Sequence, residues 1–150
     1  MRIDASGIAG LDDAVAVMAQ AFDPRFGEAW TGAQVRGVLA MPGADLLIAR
    51  ETRPCGFALL RTVVGEAELM LLATVPSRRC EGLGRALVEA AAGAARSRDG
   101  HRLFLEVRDD NPAVAFYQRV GFQPVGRRRN YYKGKDGKLR DALTFALSLR

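Results

Sequence analysis

Residues 69–108, LMLLATVPSRRCEGLGRALVEAAAGAARSRDGHRLFLEVR, carry the pattern that decides the fold. The apolar run 69–75 is typical of a strand, and Pro76 ends it because proline cannot donate to a strand ladder. Residues 84–98 are rich in alanine and place apolar side chains at helical spacing, and residues 103–107 resemble a buried strand. A strand, a helix and a second strand in this order predict a parallel pair joined by a right-handed crossover.

Further strand signals precede this unit. A short apolar run spans residues 46–49 and a longer one spans 57–64, and Pro54 and Gly56 predict a turn between them. Gly65 then joins the longer run tightly to the first strand of the quoted stretch. Short links of this kind predict antiparallel neighbours.

Two helices are predicted ahead of these strands. Thr31 and Gln34 have the spacing of a capping box, which indicates the start of the second helix, and Pro42-Gly43 ends it. The first helix is expected over residues 8–22. Its apolar side chains recur at intervals of three and four residues: Ile8, Leu11, Val15, Met18 and Phe22.

The chain closes with two more strands, at residues 122–132 and 143–149, joined by a hairpin at Asp136-Gly137. A further helix begins near Pro112, and Gly121 ends it. The predicted fold class is therefore α/β, with a mixed and mostly antiparallel sheet flanked by helices. A length of 150 residues without repeats or linkers predicts that residues 1–150 form one domain.

The composition excludes several classes of protein. Hydrophobic residues make up 49% and charged residues 26%, which is typical of a globular domain and not of a disordered chain. No apolar run approaches the roughly 20 residues of a membrane helix, and the N-terminus lacks a signal pattern, so a cytoplasmic protein is expected. Cys55 and Cys80 do not have the spacing of metal ligands, so no metal site is expected.

The net charge of +5 comes from one segment. Between Arg119 and Arg140 there are eight basic residues and one acid, which gives this basic segment +7 and leaves −2 for the rest of the chain. Such a segment favours a phosphate-bearing partner, either a nucleotide cofactor or RNA. A solvated basic face is the alternative.

The loop Arg79-x-x-Gly82-x-Gly84 lies between a predicted strand and a predicted helix. Glycines let the backbone approach an anion and present N–H groups at a helix N-terminus, so a pyrophosphate fits this loop. A Walker loop needs Gly-Lys-Ser/Thr, which is absent after Gly84, and a dinucleotide fingerprint would need a third glycine at Leu87. An ordinary turn containing glycine stays open as the alternative.

Three side chains beyond this helix are candidates for chemistry. Glu106 places a carboxylate on the following strand, where a solvated glutamate at a strand end is the alternative. Asn111 precedes a helix, and an asparagine there is ordinarily a cap. Tyr117 lies on that helix, where a tyrosine more often packs than reacts. Each of these three residues is a weak indication of function alone, so the function is inferred from their combination with the glycine loop.

In combination, these residues resemble the GNAT (Gcn5-related) N-acetyltransferases. The resemblance rests on the strand 72–76, the glycine loop, Asn111 and the run 115–122, AFYQRVGF. Within that family, the segments 105–108, LEVR, and 128–132, RRNYY, make the chain similar to the bacterial ribosomal-protein-alanine N-acetyltransferases.

The resemblance implies an enzyme that acetylates the N-terminal amino group of a protein, an N-terminal alanine of a ribosomal protein, from acetyl-CoA and without a metal. It implies that Glu106 is the general base, that Tyr117 is the general acid and that Asn111 contacts coenzyme A. The other residues that it assigns to the coenzyme are Leu72, Ala73, Thr74, Arg79, Cys80, Glu81, Gly82, Leu83, Gly84 and Arg85. On the acceptor side it points to Trp30, Tyr131 and Tyr132.

Two other functions stay open. The same fold acting on a small amine, such as a polyamine or an aminoglycoside, is one, and a module that binds RNA or coenzyme A without catalysis is the other. Contact between the basic segment and ribosomal RNA is a further expectation. Glu106 and Tyr117 are eleven positions apart, one fewer than is typical of the family, and this bears on Asn111 more than on Tyr117.

Overall fold

The computed structural model describes residues 1–21, 30–78 and 82–150. Within these ranges the chain forms one sheet with the spatial order β1-β2-β3-β4-β5-β7-β6. Its strands are β1 (Arg2–Ala5), β2 (Ala44–Arg50), β3 (Pro54–Val63), β4 (Glu66–Thr74), β5 (Arg102–Arg108), β6 (Gln123–Lys133) and β7 (Leu139–Ser148). The helices are α1 (Leu11–Ala21), α2 (Gly32–Leu39), α3 (Leu83–Ser97) and α4 (Ala113–Arg119).

The sheet is mixed, as the sequence predicts. Neighbouring strands are antiparallel except for β4 and β5, which are parallel and joined through α3. The tight connection between β3 and β4 has φ values of 44° at Val64 and 82° at Gly65, the left-handed pair that a two-residue hairpin turn requires. The expected α/β class with a mostly antiparallel sheet is confirmed.

The predicted turn at Pro54 and Gly56 is wrong, because both residues lie inside β3. Pro54 is the first residue of the strand, where its missing N–H is tolerated, and it pairs with Arg50 beside a register shift. Gly56 serves packing, because a Cβ there would lie 3.0 Å from Leu87 Cδ1 of α3. The connection between β2 and β3 lies instead at residues 51–53.

The first helix starts later than the sequence predicts, and its buried face matches the prediction in part, since Leu11 and Met18 are buried as expected. A 3₁₀ turn occupies residues 7–10, and α1 follows it. Ile8 and Val15 are exposed, whereas Ala14 and Val17 are buried. Small alanines let α1 lie close to the sheet, and a count of large apolar side chains does not detect them.

The second helix is confirmed together with its cap. Thr31 Oγ1 accepts a hydrogen bond from the Gln34 N–H, and Gln34 Oε1 accepts one from the Thr31 N–H, so both halves of the capping box form. Phe22, the last residue predicted for the first helix, lies outside the described residues.

The third helix packs its apolar face on β3 and β4. Leu83, Leu87, Ala91 and Ala95 are all buried, as their spacing predicts. Full burial of one leucine side chain stabilises a fold by about 2 kcal/mol. None of the described helices is long and apolar enough to cross a membrane.

β4 and β5 separate after a short parallel segment. Residues 66–68 of β4 pair with residues 102–104 of β5, and in the described chain the pairing ends there. Beyond a register shift near Met70, β4 remains paired with β3 on its other side. A wedge therefore opens between the carboxyl ends of β4 and β5, and main-chain groups of residues 71–74 line one of its sides.

Candidate active site

Glu106 lies on one face of β5, beyond the segment that pairs with β4 and therefore beside the wedge. The register places it opposite Thr144 of β7, and Glu68 of β4 lies two positions away, opposite Phe104. Because cross-strand partners share a face, these side chains point to the same side of the sheet. The Glu106 side chain is 25% exposed, so a carboxylate is both sheltered and accessible there.

Glu106 forms an ion pair with β6. Arg128 Nε lies 3.3 Å from Glu106 Oε2, and Arg128 Cζ lies 5.0 Å from the centre of the Tyr131 ring. That ring meets Tyr132 edge to face at 5.2 Å. The structure thus brings Glu106 together with both tyrosines predicted for the acceptor side. The link is an arginine that the sequence analysis did not assign to the site, although it begins the RRNYY segment.

A bulge in β6 brings Tyr131 over Arg128. Between its pairs at Arg128 and Tyr132, β6 holds two more residues than β7 does. Asn130 adopts a φ of 52° there, and its N–H donates to Asp141 Oδ1 at 2.9 Å. Asparagine tolerates this left-handed conformation better than most residues. The hydrogen bond from Asn130 is also the largest cause that lowers the pKa of Asp141.

Glu68 is a second half-buried carboxylate on this face, and no pattern in the sequence pointed to it. Burial raises the pKa of Glu68, the negative charge of Glu106 raises it further, and the charge of Arg61 acts in the opposite direction. Glu68 therefore holds a proton to higher pH than a solvated glutamate does. Alternation along a strand shows the face of a residue, but the neighbouring carboxylate is known only once the strands are paired.

Tyr117 lies half-buried on α4 with its ring fixed by aromatic neighbours. The ring centres of Phe116 and Phe122 lie 5.4 and 5.6 Å from that of Tyr117. The Phe122 N–H donates to the Tyr117 carbonyl at 3.0 Å. These contacts hold the body of the ring in the core, which gives its hydroxyl a defined position.

The loop before α4 is fixed by a buried arginine. Arg108 is 1% exposed and donates to both carboxylate oxygens of Asp110, from Nε at 3.1 Å and from Nη2 at 2.8 Å. Burial acts to raise the pKa of Asp110, but hydrogen bonds from Arg108 and Arg140 outweigh it and lower that pKa. Asn111 Oδ1 accepts from the Ala113 N–H at 2.8 Å and so caps α4. Its contact with coenzyme A stays a prediction.

The start of α3 approaches α4 closely. Gly82 precedes the helix with a φ of 78°, which glycine adopts without a steric cost. A Cβ on Gly84 would lie 3.0 Å from Phe116 Cζ. Arg85 Nη2 donates to the Arg119 carbonyl at 3.5 Å. Leu83 is buried. The remaining residues of the predicted loop, Arg79, Cys80 and Glu81, lie outside the described residues.

This close approach predicts opposite effects of one substitution at two glycines of α3. Gly93→Ala is expected to raise the free energy of unfolding by about 0.5–1 kcal/mol, because alanine favours the helix and a Cβ at Gly93 meets no atom within 4 Å. Gly84→Ala is expected to lower it by about 1 kcal/mol, because the new methyl group displaces the Phe116 ring. Urea unfolding measures both, and equal stabilisation would contradict the packing described here.

The end of β4 lines the wedge with main chain. Leu72, Ala73 and Thr74 pair with β3 on one side, and no described strand pairs with them on the side that faces β5. Backbone N–H and C=O groups in this position need a hydrogen-bonding partner. An extended ligand with amide groups provides such partners.

The acceptor-side candidate Trp30 and two side chains with no predicted role, Cys55 and His101, are placed as follows. Trp30 is half-buried and packs against the core, and Cys55 is buried with its thiol donating to the Ala49 carbonyl at 3.4 Å. His101 is exposed and lies at hydrogen-bond distance from the Arg150 guanidinium. Among the described residues, no group of three or more His, Cys, Asp and Glu side chains could hold a metal ion.

Comparison with known proteins agrees with this architecture. The sequence model of the Acetyltransferase (GNAT) family matches residues 15–122, well over half of the chain. The chain is 37% identical to the ribosomal protein bS18-alanine N-acetyltransferase of Escherichia coli strain K12 over 103 residues, which are 68% of this chain and 69% of that protein. The chain therefore belongs to the GNAT family and is an N-acetyltransferase.

Solved structures indicate which group within the family the chain resembles. The structure of the ribosomal-protein-S18-alanine N-acetyltransferase from Escherichia coli aligns with this chain at a TM-score of 0.84 and 29% sequence identity. The alignment covers 99% of this chain and 93% of the Escherichia coli chain. An aminoglycoside 6'-N-acetyltransferase complexed with coenzyme A has a TM-score of 0.80, covering 100% and 98%, but at 17% identity it shares the fold alone. Within the family, the chain is thus similar to the ribosomal-protein-alanine N-acetyltransferases.

Proposed function

We propose that this enzyme acetylates the α-amino group of an N-terminal alanine on a ribosomal protein. Its similarity to the bS18-alanine N-acetyltransferase carries this proposal. The acceptor is then an S18-like protein, and the reaction takes place in the cytoplasm, with residues 1–150 acting as one domain. The half-buried Glu106 on the open face of the sheet supports an acceptor that must lose a proton.

The wedge between β4 and β5 is the proposed site of acetyl-CoA, the donor of the family. Main-chain groups of Leu72, Ala73 and Thr74 would pair with the pantetheine amides, as a partner strand would. Amides at the start of α3, after Gly82, would hold the pyrophosphate, because the positive end of the helix dipole favours anions. The bound donor supplies an acetyl thioester, and the residues of this chain position it and move protons.

Glu106 is proposed to take the proton of the acceptor. An α-amino group has a pKa of about 8, so it is mostly protonated at neutral pH and cannot attack in that form. The Glu106 carboxylate accepts this proton, directly or through one water, and the freed lone pair of the nitrogen then forms the bond to the acetyl carbon. Holding both substrates in one geometry supplies most of the remaining acceleration.

Tyr117 is proposed to donate a proton to the departing sulfur. The bond between the acetyl carbon and sulfur breaks as the new C–N bond forms, and the thiolate of a thiol with a pKa of about 8–9 leaves. A phenol within reach of that sulfur neutralises the charge, and the second proton, which the nitrogen loses as the amide forms, replaces the one that Tyr117 gives up. The packing of the Tyr117 ring against Phe116 and Phe122 keeps the donor in place.

The acceptor side is assigned to Trp30, Tyr131 and Tyr132, and the basic segment to the ribosome. Several arginines of the basic segment form ion pairs within the chain, among them Arg127 with Asp141 and Arg140 with Asp136. The exposed lysines at positions 133, 135 and 138 are proposed to contact ribosomal RNA.

A small-molecule amine is the second candidate acceptor, and Glu68 favours it. Two carboxylates on one face, Glu68 and Glu106, suit a substrate with more than one ammonium group. An acceptor site with several acids is what a polyamine or an aminoglycoside would need.

Initial rates with acetyl-CoA and competing acceptors test the proposal. A peptide with a free N-terminal alanine, taken from an S18-like protein, is expected to have a kcat/KM at least about 100-fold above that of spermidine or an aminoglycoside. The same peptide with a blocked N-terminus is the matched control and is expected to stay unmodified. Faster turnover of the small amines would favour the second candidate.

A further inference from the structure

Arg128 is held by two contacts of different chemistry, although 61% of its side chain is exposed. Its Nε lies 3.3 Å from Glu106 Oε2, and its Cζ lies 5.0 Å from the centre of the Tyr131 ring. Long cationic side chains on an exposed strand ordinarily sample many rotamers, because ordering them costs entropy. A guanidinium placed between a carboxylate and an aromatic face is restricted to few of them.

The sheet beneath Arg128 is shaped for this reach. Gly126 lies opposite Thr144, which in turn lies opposite Glu106, whereas Arg128 lies opposite Ala142. Arg128 therefore extends diagonally across β7 to reach β5. The residues beneath it are small, and Gly126 has no side chain that could compete for Glu106.

The charged side chains around Glu106 determine which cation can pair with its carboxylate. Burial is the largest cause that raises the pKa of Glu68 on β4; repulsion between the Glu68 and Glu106 carboxylates raises it further, and Arg61 acts in the opposite direction. On β5 itself, Arg108 is engaged with Asp110. Arg128 on β6 is the cation that contacts Glu106 in the described chain, and it attracts the carboxylate away from Glu68.

We infer that Arg128 is a positioning residue that fixes the orientation of the Glu106 carboxylate for proton transfer; this rests on the base assigned to Glu106 in the proposed function. Arg128 binds Oε2, so Oε1 is the oxygen presented to the acceptor amine. Tyr131, held over the guanidinium by the bulge at Asn130, keeps Arg128 in this rotamer. An exposed ion pair is weak, so it orients Glu106 without blocking an incoming ammonium group.

Steady-state kinetics with the alanine peptide test this role. Arg128→Ala is expected to lower kcat about tenfold and to change the KM for the peptide by less than about twofold, because the carboxylate loses its orientation and the acceptor site remains. Arg128→Lys is expected to recover part of the loss, since an ammonium pairs with Glu106 but does not stack as a guanidinium does. Arg2→Ala, which removes an exposed arginine from a surface ion pair with Asp4 on β1, is the matched control and is expected to leave kcat within about twofold.

A double-mutant cycle separates this inference from the proposed function. In a Glu106→Gln background, Arg128→Ala is expected to cause no further loss of kcat, because the group that it orients is gone. A deficient Glu106→Gln with an unaffected Arg128→Ala would overturn the positioning role alone. An unaffected Glu106→Gln would overturn the base assignment and the positioning role with it. A rise in KM at constant kcat for Arg128→Ala would make it an acceptor-binding residue and overturn the inference, and thermal melting verifies that each variant is folded.

Discussion

Glu106→Gln is expected to lower kcat by about 10²–10⁴-fold, the range that a general base contributes. Glutamine keeps the size of the side chain and its place on β5, but an amide does not accept the proton of an ammonium group. The deficit is expected to be largest at low pH, because there the acceptor amine is almost fully protonated and most needs a base. Initial rates across pH, with the alanine peptide and saturating acetyl-CoA, measure this effect.

The control for this variant removes a carboxylate that lies elsewhere on the sheet. Glu66→Gln makes the same chemical change on β4, at a residue that pairs with Arg102 on the surface. It is expected to leave kcat within about twofold, because exposed ion pairs contribute little. If Glu106→Gln retains full activity and the wild-type pH profile, Glu106 is not the base.

Tyr117→Phe is expected to lower kcat by about 10²-fold while the KM for acetyl-CoA changes little. The substitution removes only the hydroxyl group. Phenylalanine keeps the ring contacts with Phe116 and Phe122, so α4 stays in place. Steady-state kinetics with varied acetyl-CoA separates the loss of a proton donor from the loss of donor binding.

A stability measurement separates the chemical role of Tyr117 from a structural one. Loss of one hydrogen bond at a half-buried hydroxyl lowers the free energy of unfolding by about 1 kcal/mol. A Tyr117→Phe protein that unfolds at much lower denaturant concentration and loses activity in proportion would indicate a packing role. A stable protein with a normal kcat would remove Tyr117 from the reaction.

The parts of the fold that follow local rules could be predicted from the sequence. The unit of β4, α3 and β5 follows from the apolar period and from Pro76, and the capping box at Thr31 and Gln34 marks the start of α2 as expected. The errors arose where tertiary contacts decide. In the sequence Gly56 resembles a turn residue. The structure shows that a glycine is needed there because Leu87 of α3 packs against it too closely for a Cβ.

The candidate site could be predicted only in part, because some of its contacts depend on how distant strands pair. The order of Glu106 and Tyr117 along the chain indicated their roles through a family resemblance. The contact of Arg128 with Glu106 depends on strand order, because β7 lies between β5 and β6, and on the bulge at Asn130 that turns Tyr131 toward the guanidinium. Glu68 joins the site only through the pairing of β4 with β5. Such long-range pairings have no signature in a local pattern.

Mass spectrometry of an S18-like ribosomal protein, incubated with the enzyme and acetyl-CoA, tests the central claim most directly. The proposed function predicts a single acetyl group, and fragmentation is expected to place it on the α-amino group of the N-terminal alanine. The same incubation with the Glu106→Gln enzyme is expected to give little product in the same time. Acetylation of lysine side chains with a free N-terminus, or no acetylation where spermidine is rapidly modified, would contradict the proposed function.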